Sequence, residues 1–344
     1  MNQVRTPEIE VPSHLLPDAE ASGGERLIEV RDLHVTFRQK AGDVHAVRGV
    51  SFELTRGKTF VLVGESGSGK SVTARSILGL VPSNSFSSSG SIRFDGEELL
   101  GRSEKEWRAI RGRGIGIVFQ DPTRSLNPTI RVGAQIAEGV HETLGLSRDD
   151  ASKRAIELLD LVGIPFAAER AHDYPHQLSG GMRQRVMMAI AISGKPKVLI
   201  ADEPTTALDV TTQAQIMELL QGLQREFDMG LLLITHDMGL AFSYGDEIGV
   251  MYAGRIVERA AAQTLRRRVR MPYTRGLLDS VPRITDTPHS VFPALSGRPP
   301  DASHLPAGCP FAPRCRYAQD RCREAEPPLA GDEPGQEYAC WFPL

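Results

Sequence analysis

One eight-residue stretch, Gly64-Glu-Ser-Gly-Ser-Gly-Lys-Ser71, constrains the fold of this chain more than any other feature. It follows the apolar run KTFVLV and leads into a segment that reads as a helix. Strand, glycine-rich turn and helix in that order form a compact supersecondary unit, and the spacing matches G-x-x-x-x-G-K-[ST]. Gly64, Gly67 and Gly69 let backbone N–H groups turn inward around an anion, with Ser66, Ser68 and Val72 completing the loop. The first helical turn adds unpaired donors at the positive end of its dipole. Lys70 is placed to reach the β- and γ-phosphates of a nucleotide, and the Ser71 hydroxyl to ligate Mg²⁺. A chance glycine turn would not come with the preceding strand.

A second element of the same kind lies more than a hundred residues later, in LSGGMRQR at Leu178–Arg185. Ser179, Gly180 and Gly181 precede the apolar-periodic RVMMAIAI, so they stand at a helix start with exposed backbone donors. Two separate phosphate-grasping elements in one chain suggest that the second serves a nucleotide held by another subunit.

Composition limits the remaining choices. The chain has 344 residues, 40% of them apolar and 24% charged, as in ordinary globular proteins. Lys plus Arg number 40 against 43 for Asp plus Glu, and a net charge of −3 gives no general attraction to nucleic acid. Apolar runs such as VLIA and LLLI are too short to span a bilayer. Residues 1–25 are polar and lack the apolar core of a signal peptide. The expectation is a cytoplasmic protein whose membrane role, if any, comes through partners.

Along the chain, residues 1–26 read as a disordered leader. Strand patterns follow in LIEVRDLHVTF, HAVRGVSFEL and KTFVLVG. Residues from about 121 to 192 are helical in character. Buried-strand patterns return in KVLIAD and LLLITHD, separated by the helical TTQAQIMELLQGLQREF. Alternating strands and helices imply a mainly parallel sheet covered by helices. After GVMYAGRIVER, prolines are frequent and periodicity is weak, which reads as a separate loop-rich extension over 263–344.

Asp202 and Glu203 close the apolar strand KVLIAD, at the edge where open α/β sheets bind ligands. Asp202 can hold Mg²⁺ through its water shell, and Glu203 can accept a proton from an attacking water. Two adjacent carboxylates also suit a solvated loop. Gln120, after GIGIVF, can contact Mg²⁺ or the lytic water, or simply decorate the surface. His236, after LLLIT, is either a satisfied core histidine or a donor to the γ-phosphate.

Taken in order, these motifs resemble the ATP-binding subunit of an ABC transporter. The resemblance covers roughly residues 27–260: phosphate loop, FQDP, LSGG, LIADEP, ALD and ITHD occur in family order. It implies a P-loop NTPase fold of the ABC type, α/β in class. That fold has a mainly parallel sheet core, an antiparallel β subdomain and a helical subdomain at about 121–192. The nucleotide-binding domain would span 27–262. The resemblance also assigns roles. Phe37 would stack on adenine, and Gln120 would link the hydrolysis site to the helical subdomain and permease. Ser179 and Gly181 would grip the γ-phosphate of ATP on the opposing subunit, with Asp209 a further cross-dimer contact. Glu203 would be the catalytic base and His236 the γ-phosphate switch. Met182 departs from the commonest signature, which has glutamine there, and is expected to alter packing only.

FQDPTRSLNP at 119–128, MPYTRGLLDSVP at 271–282 and the cysteine-bearing end resemble the dipeptide and oligopeptide importer branch. Met271 stands where that branch usually has histidine. The resemblance implies two transmembrane permeases, an extracytoplasmic solute-binding protein and a second ATPase subunit, a heterodimer being favoured. It places the chain peripherally on the cytoplasmic face of the membrane. The branch also includes importers of nickel and other small solutes. A soluble ABC ATPase acting on nucleic acid or ribosomes is the alternative from another class, but neither an internal repeat nor sustained heptads support it.

The only cysteines, Cys309, Cys315, Cys322 and Cys340, have five, six and seventeen residues between neighbours. That is neither a paired zinc pattern nor a ferredoxin run, and structural thiols remain open. Four thiols clustered in one segment argue for a metal, and the resemblance turns the choice toward a [4Fe–4S] cluster, with Zn²⁺ second. Arg266-Arg-Arg268 with Arg270 reads as a solvated helix end or a contact for anionic lipid or a partner.

Overall fold

The computed structural model describes residues 24–40, 42–81, 86–206, 208–281, 295–333 and 335–344. Residues 1–23 of the expected leader, Ala207 of the ALD stretch and Pro282 lie outside the described residues. The end of that leader belongs to the fold. Arg26 opens the first strand, and Glu25 accepts from the Arg56 backbone at 2.9 Å and from its guanidinium at 2.8 Å.

The strands, in chain order, are β1 (Arg26–Phe37), β2 (Val44–Thr55), β3 (Thr59–Val63), β4 (Phe86–Phe94), β5 (Glu97–Glu98) and β6 (Ile115–Val118). They continue as β7 (Val198–Asp202), β8 (Gly230–Thr235), β9 (Glu247–Tyr252), β10 (Arg255–Ala261), β11 (Ala330–Glu333) and β12 (Gln336–Tyr338). The chain divides into two compact units. One takes in residues up to 27, 54–58 and 101–232, and the other residues 28–53, 59–100 and 233–344.

In the first unit, β6 and β7 pair in parallel, Ile115 opposite Val198 and Val118 opposite Ala201. All five residues of β7 are buried, as a continuous apolar run requires when both faces of a sheet are covered. The start of β8 follows β7, with the Gly230 N–H donating to Lys197 O at 3.0 Å. Helices Val132–Leu144 and Arg148–Leu161 pack on each other and on helix Gly180–Ile192. Gly145, at φ 68°, closes the first of them in the left-handed conformation, and Ser147 caps the second.

In the second unit, one sheet has the order β2-β1-β4-β5. The β1–β4 pair is antiparallel, with a register shift between Arg31 and His34. The other sheet runs β11-β12-β10-β9-β3-β8. β3 and β9 are parallel, while β9 and β10 form an antiparallel hairpin. Its two-residue turn places Ala253 at φ 46° and Gly254 at φ 81°, both positive as a type I′ turn demands.

The C-terminal segment, expected to be a separate run of loops, adds β11 and β12 to this sheet through antiparallel pairing with β10. It also supplies aromatic core. Fully buried Tyr273 packs against Tyr252 at a centroid distance of 4.5 Å and against Phe311 at 5.4 Å. The arginine run is a solvated helix end at Arg266, Arg267 and Arg268, which are exposed, while Arg270 is half-buried. Arg266 lies over the Phe242 ring, and Arg270 lies over Tyr338 and donates to the carbonyl of Leu344.

Candidate nucleotide-binding site

The phosphate loop lies in the second unit, between β3 and helix Lys70–Ile77. Three of its glycines have positive φ: Gly64 at 157°, Gly67 at 79° and Gly69 at 106°. Space as well as conformation excludes larger residues. A Cβ on Gly64 would lie 2.2 Å from Met251 O, and one on Gly69 would lie 2.4 Å from Ala46 O. Gly254 N–H donates to Ser68 O at 2.9 Å and ties the loop to the β9–β10 turn. Lys70 is 4% exposed, and its ammonium folds back onto Gly64 O at 2.7 Å and Glu65 O at 2.8 Å. Ser66 and Gly67 are exposed, Ser68 is buried, and Ser71 and Val72 are half-buried at the helix start. Gly69 caps that helix without a side-chain acceptor, and no acidic residue occupies its first turn. A helix start of this composition, with a lysine beside it, fits a polyphosphate.

Phe37 ends β1 in the same unit, half-buried, with its ring 6.4 Å from that of Phe86. His236 directly follows β8 and is exposed, which sets aside the reading as a buried core histidine.

The first unit holds the carboxylates. Asp202 is the last residue of β7 and 2% exposed. Glu203, next in the chain, has φ 49° in the left-handed region, and Pro204 follows it. The structure brings Glu203 and Gln120 together. Gln120 Nε2 donates to Glu203 Oε2 at 2.9 Å, and Thr206 Oγ1 donates to the same oxygen at 2.9 Å. Sequence reasoning did not find Thr206, although a hydroxyl three residues beyond the carboxylate is a local signal.

Ser179 caps helix Gly180–Ile192, accepting from Met182 N at 3.3 Å. That bond uses only the backbone of Met182, so the unusual residue leaves the cap intact. Asp209 caps helix Val210–Glu226, accepting from Thr212 N at 3.0 Å and Thr212 Oγ1 at 2.7 Å. These bonds hold its carboxyl below the usual range. The two caps are neighbours: a Cβ on Gly181 would meet the Thr212 methyl at 2.9 Å, and one on Gly180 would meet Leu208 at 3.7 Å. Residues expected at a subunit interface thus share one patch of this unit.

Comparison with known proteins decides the family. Residues 47–206 match the ABC transporter family, and residues 257–322 match the oligopeptide/dipeptide transporter C-terminal region. The oligopeptide transport ATP-binding protein OppD of Bacillus subtilis (strain 168) is 48% identical over 88% of this chain and 85% of its own length. The dipeptide transport ATP-binding protein DppD of Lactococcus lactis is 46% identical, covering 92% of this chain and 91% of that protein. A dimeric bacterial ABC transporter cassette superposes with a TM-score of 0.61 at 27% identity, over 69% of this chain and 99% of that one.

The chain belongs to the ABC transporter ATP-binding family.

As an ABC ATPase it has the cassette fold that its motif order implied. The cysteine expectation fares differently. Cys309, Cys315, Cys322 and Cys340 do line one small cavity of about 20 Å³. Yet among the described residues no group of three or more His, Cys, Asp or Glu side chains is arranged to hold a metal ion. Burial pushes the Cys309 and Cys340 thiols up to about 11. Neither the [4Fe–4S] cluster nor the zinc site is supported by this arrangement.

Proposed function

We propose that this chain is the ATP-hydrolysing subunit of a multi-subunit importer that moves dipeptides or oligopeptides across the cytoplasmic membrane. The observation that carries the substrate class is the match of residues 257–322 to the oligopeptide/dipeptide transporter C-terminal region, since the catalytic motifs are shared far more widely. Relatives named for dipeptide and oligopeptide transport, 46–48% identical over most of their lengths, support the same reading.

The proposed chemistry follows from the residues. Backbone donors of Gly64–Ser71 and the Lys70 ammonium bind the phosphates, while Phe37 stacks on the base. Ser71, Asp202 and Gln120 would hold Mg²⁺, which when bound neutralises charge on the β- and γ-oxygens. Glu203 takes a proton from water aligned on the γ-phosphate, and the bond from Gln120 aims its carboxylate. His236 donates to the γ-phosphate. Ser179, Gly180 and Gly181, with Asp209, complete the site of an opposing ATPase subunit, for which we favour a related chain rather than a second copy.

Partners follow from the same reading: two permeases, a solute-binding protein reached through them, and no nucleic acid. Among the described residues no helix is long and apolar enough to cross a membrane, and the proposed place of the chain is peripheral, on permeases at the cytoplasmic face. Affinity purification of the tagged chain from solubilised membranes tests the assembly. Recovery with two multi-spanning proteins is expected, and recovery with ribosomes or nucleic acid instead would overturn it.

A further inference from the structure

The phosphate loop contains a carboxylate, Glu65, beside the position proposed for a polyanion. A negative side chain there opposes phosphate binding unless its charge is cancelled. The structure supplies the cancelling charge from far along the chain. Arg314 Nη1 donates to Glu65 Oε2 at 2.6 Å and Nη2 to Oε1 at 2.9 Å, a bidentate pair across 249 residues of sequence.

Arg314 is itself held rigidly. Its side chain is 4% exposed, and Nε donates to Ser296 O at 2.8 Å. Nη1 also donates to the Tyr252 hydroxyl at 3.3 Å, and the guanidinium lies 5.9 Å from the ring centres of both Tyr252 and Phe311. A planar fork fixed by rings and a carbonyl loses little freedom when it binds a carboxylate.

The backbone of Glu65 is gripped as well. Its N–H donates to the hydroxyl of fully buried Tyr273 at 2.9 Å, and its carbonyl accepts from Lys70 Nζ at 2.8 Å. One residue of a glycine-rich loop is therefore tied at N–H, C=O and carboxylate. The first and last of those ties come from the C-terminal segment.

We propose that Arg314 is a positioning residue for the phosphate loop, fixing Glu65 and cancelling its charge so that the loop accepts a polyphosphate. The proposal rests on reading Gly64–Ser71 as the nucleotide site. It gives the C-terminal segment a direct part in nucleotide affinity, through the short turn that also carries Cys309 and Cys315.

The test is ATP affinity and melting temperature of the full chain, for wild type, Arg314→Gln, Glu65→Gln and the double variant. Loss of a charge-assisted bond that leaves Glu65 uncompensated should weaken ATP binding about tenfold in Arg314→Gln. Removing the stranded charge in the double variant should restore affinity to within about threefold of wild type. Glu65→Gln alone supplies the remaining corner of the cycle, from which the coupling between the two side chains is read. A purely structural ion pair would lower the melting temperature without this rescue of binding. The proposal is overturned if Arg314→Gln binds ATP like wild type, or if the double variant binds no better than Arg314→Gln. If wild type itself fails to bind ATP, the nucleotide reading falls first and Arg314 loses its role with it.

Discussion

Glu203 occupies a backbone conformation that a residue of its kind avoids. At φ 49°, directly before Pro204, it carries strain of about 1–3 kcal/mol that its surroundings must offset. The buried strand β7 fixes the chain entering it, and Gln120 and Thr206 hold its carboxylate. Its place at the end of KVLIAD was legible in the sequence, because four apolar residues and two acids mark a strand edge. The strain was not, since glutamate has no preference for positive φ and only the path from β7 into the Pro204 turn imposes it. His236 shows the same limit: the letters LLLITHD allow a buried or an exposed imidazole, and the structure exposes it. The proposed role of Glu203 has a specific signature. Glu203→Gln in the assembled complex should bind ATP within a few-fold of wild type while phosphate release falls about 100-fold or more. Release at the wild-type rate would remove Glu203 as the base.

Elements with a helical period or a continuous apolar run were readable, and β11 and β12 were not. Helices Arg148–Leu161 and Val210–Glu226 and strands β3, β7 and β8 lie where their apolar spacing places them. β11 and β12, four and three residues long, are too short to show a period of two amid prolines. What joins that segment to β10 is polar. Glu258 is fully buried and accepts from Arg270 N at 2.6 Å, Met271 N at 3.2 Å and Gln336 Nε2 at 3.1 Å. In GRIVER it looks like an ordinary surface carboxylate, because its three donors come from residues 12–78 positions away. Burial pushes the Glu258 carboxyl above the usual range, so the folded chain binds its proton more tightly than the unfolded one. Its contribution to stability is therefore full below the ordinary carboxylate range and is lost as pH rises through the raised value. Melting curves from about pH 5 to 8 should show wild type losing ground relative to Glu258→Gln. Parallel curves would mean that the carboxyl is not raised.

At the scale of the whole molecule, motif order carried the family, and the C-terminal segment carried the branch. The four thiols do gather at one cavity, as their clustering suggested, yet their arrangement gives no support to a metal site. Spacing along a chain reports which residues can meet, not the geometry in which they meet. The same segment that carries the thiols holds the phosphate loop through Tyr273 and Arg314, a link that no local pattern in the sequence announces. In the proposed importer, solute choice would reside in the permeases and the binding protein, so function at this scale would belong to the assembly. The most direct test is ATP hydrolysis by the complex reconstituted in vesicles with its solute-binding protein, comparing added di- and oligopeptides with nickel and other small solutes. Peptides should stimulate hydrolysis severalfold and be carried into the compartment that faces this chain. Stimulation by nickel alone, or hydrolysis indifferent to every peptide, would contradict the assignment as a peptide importer.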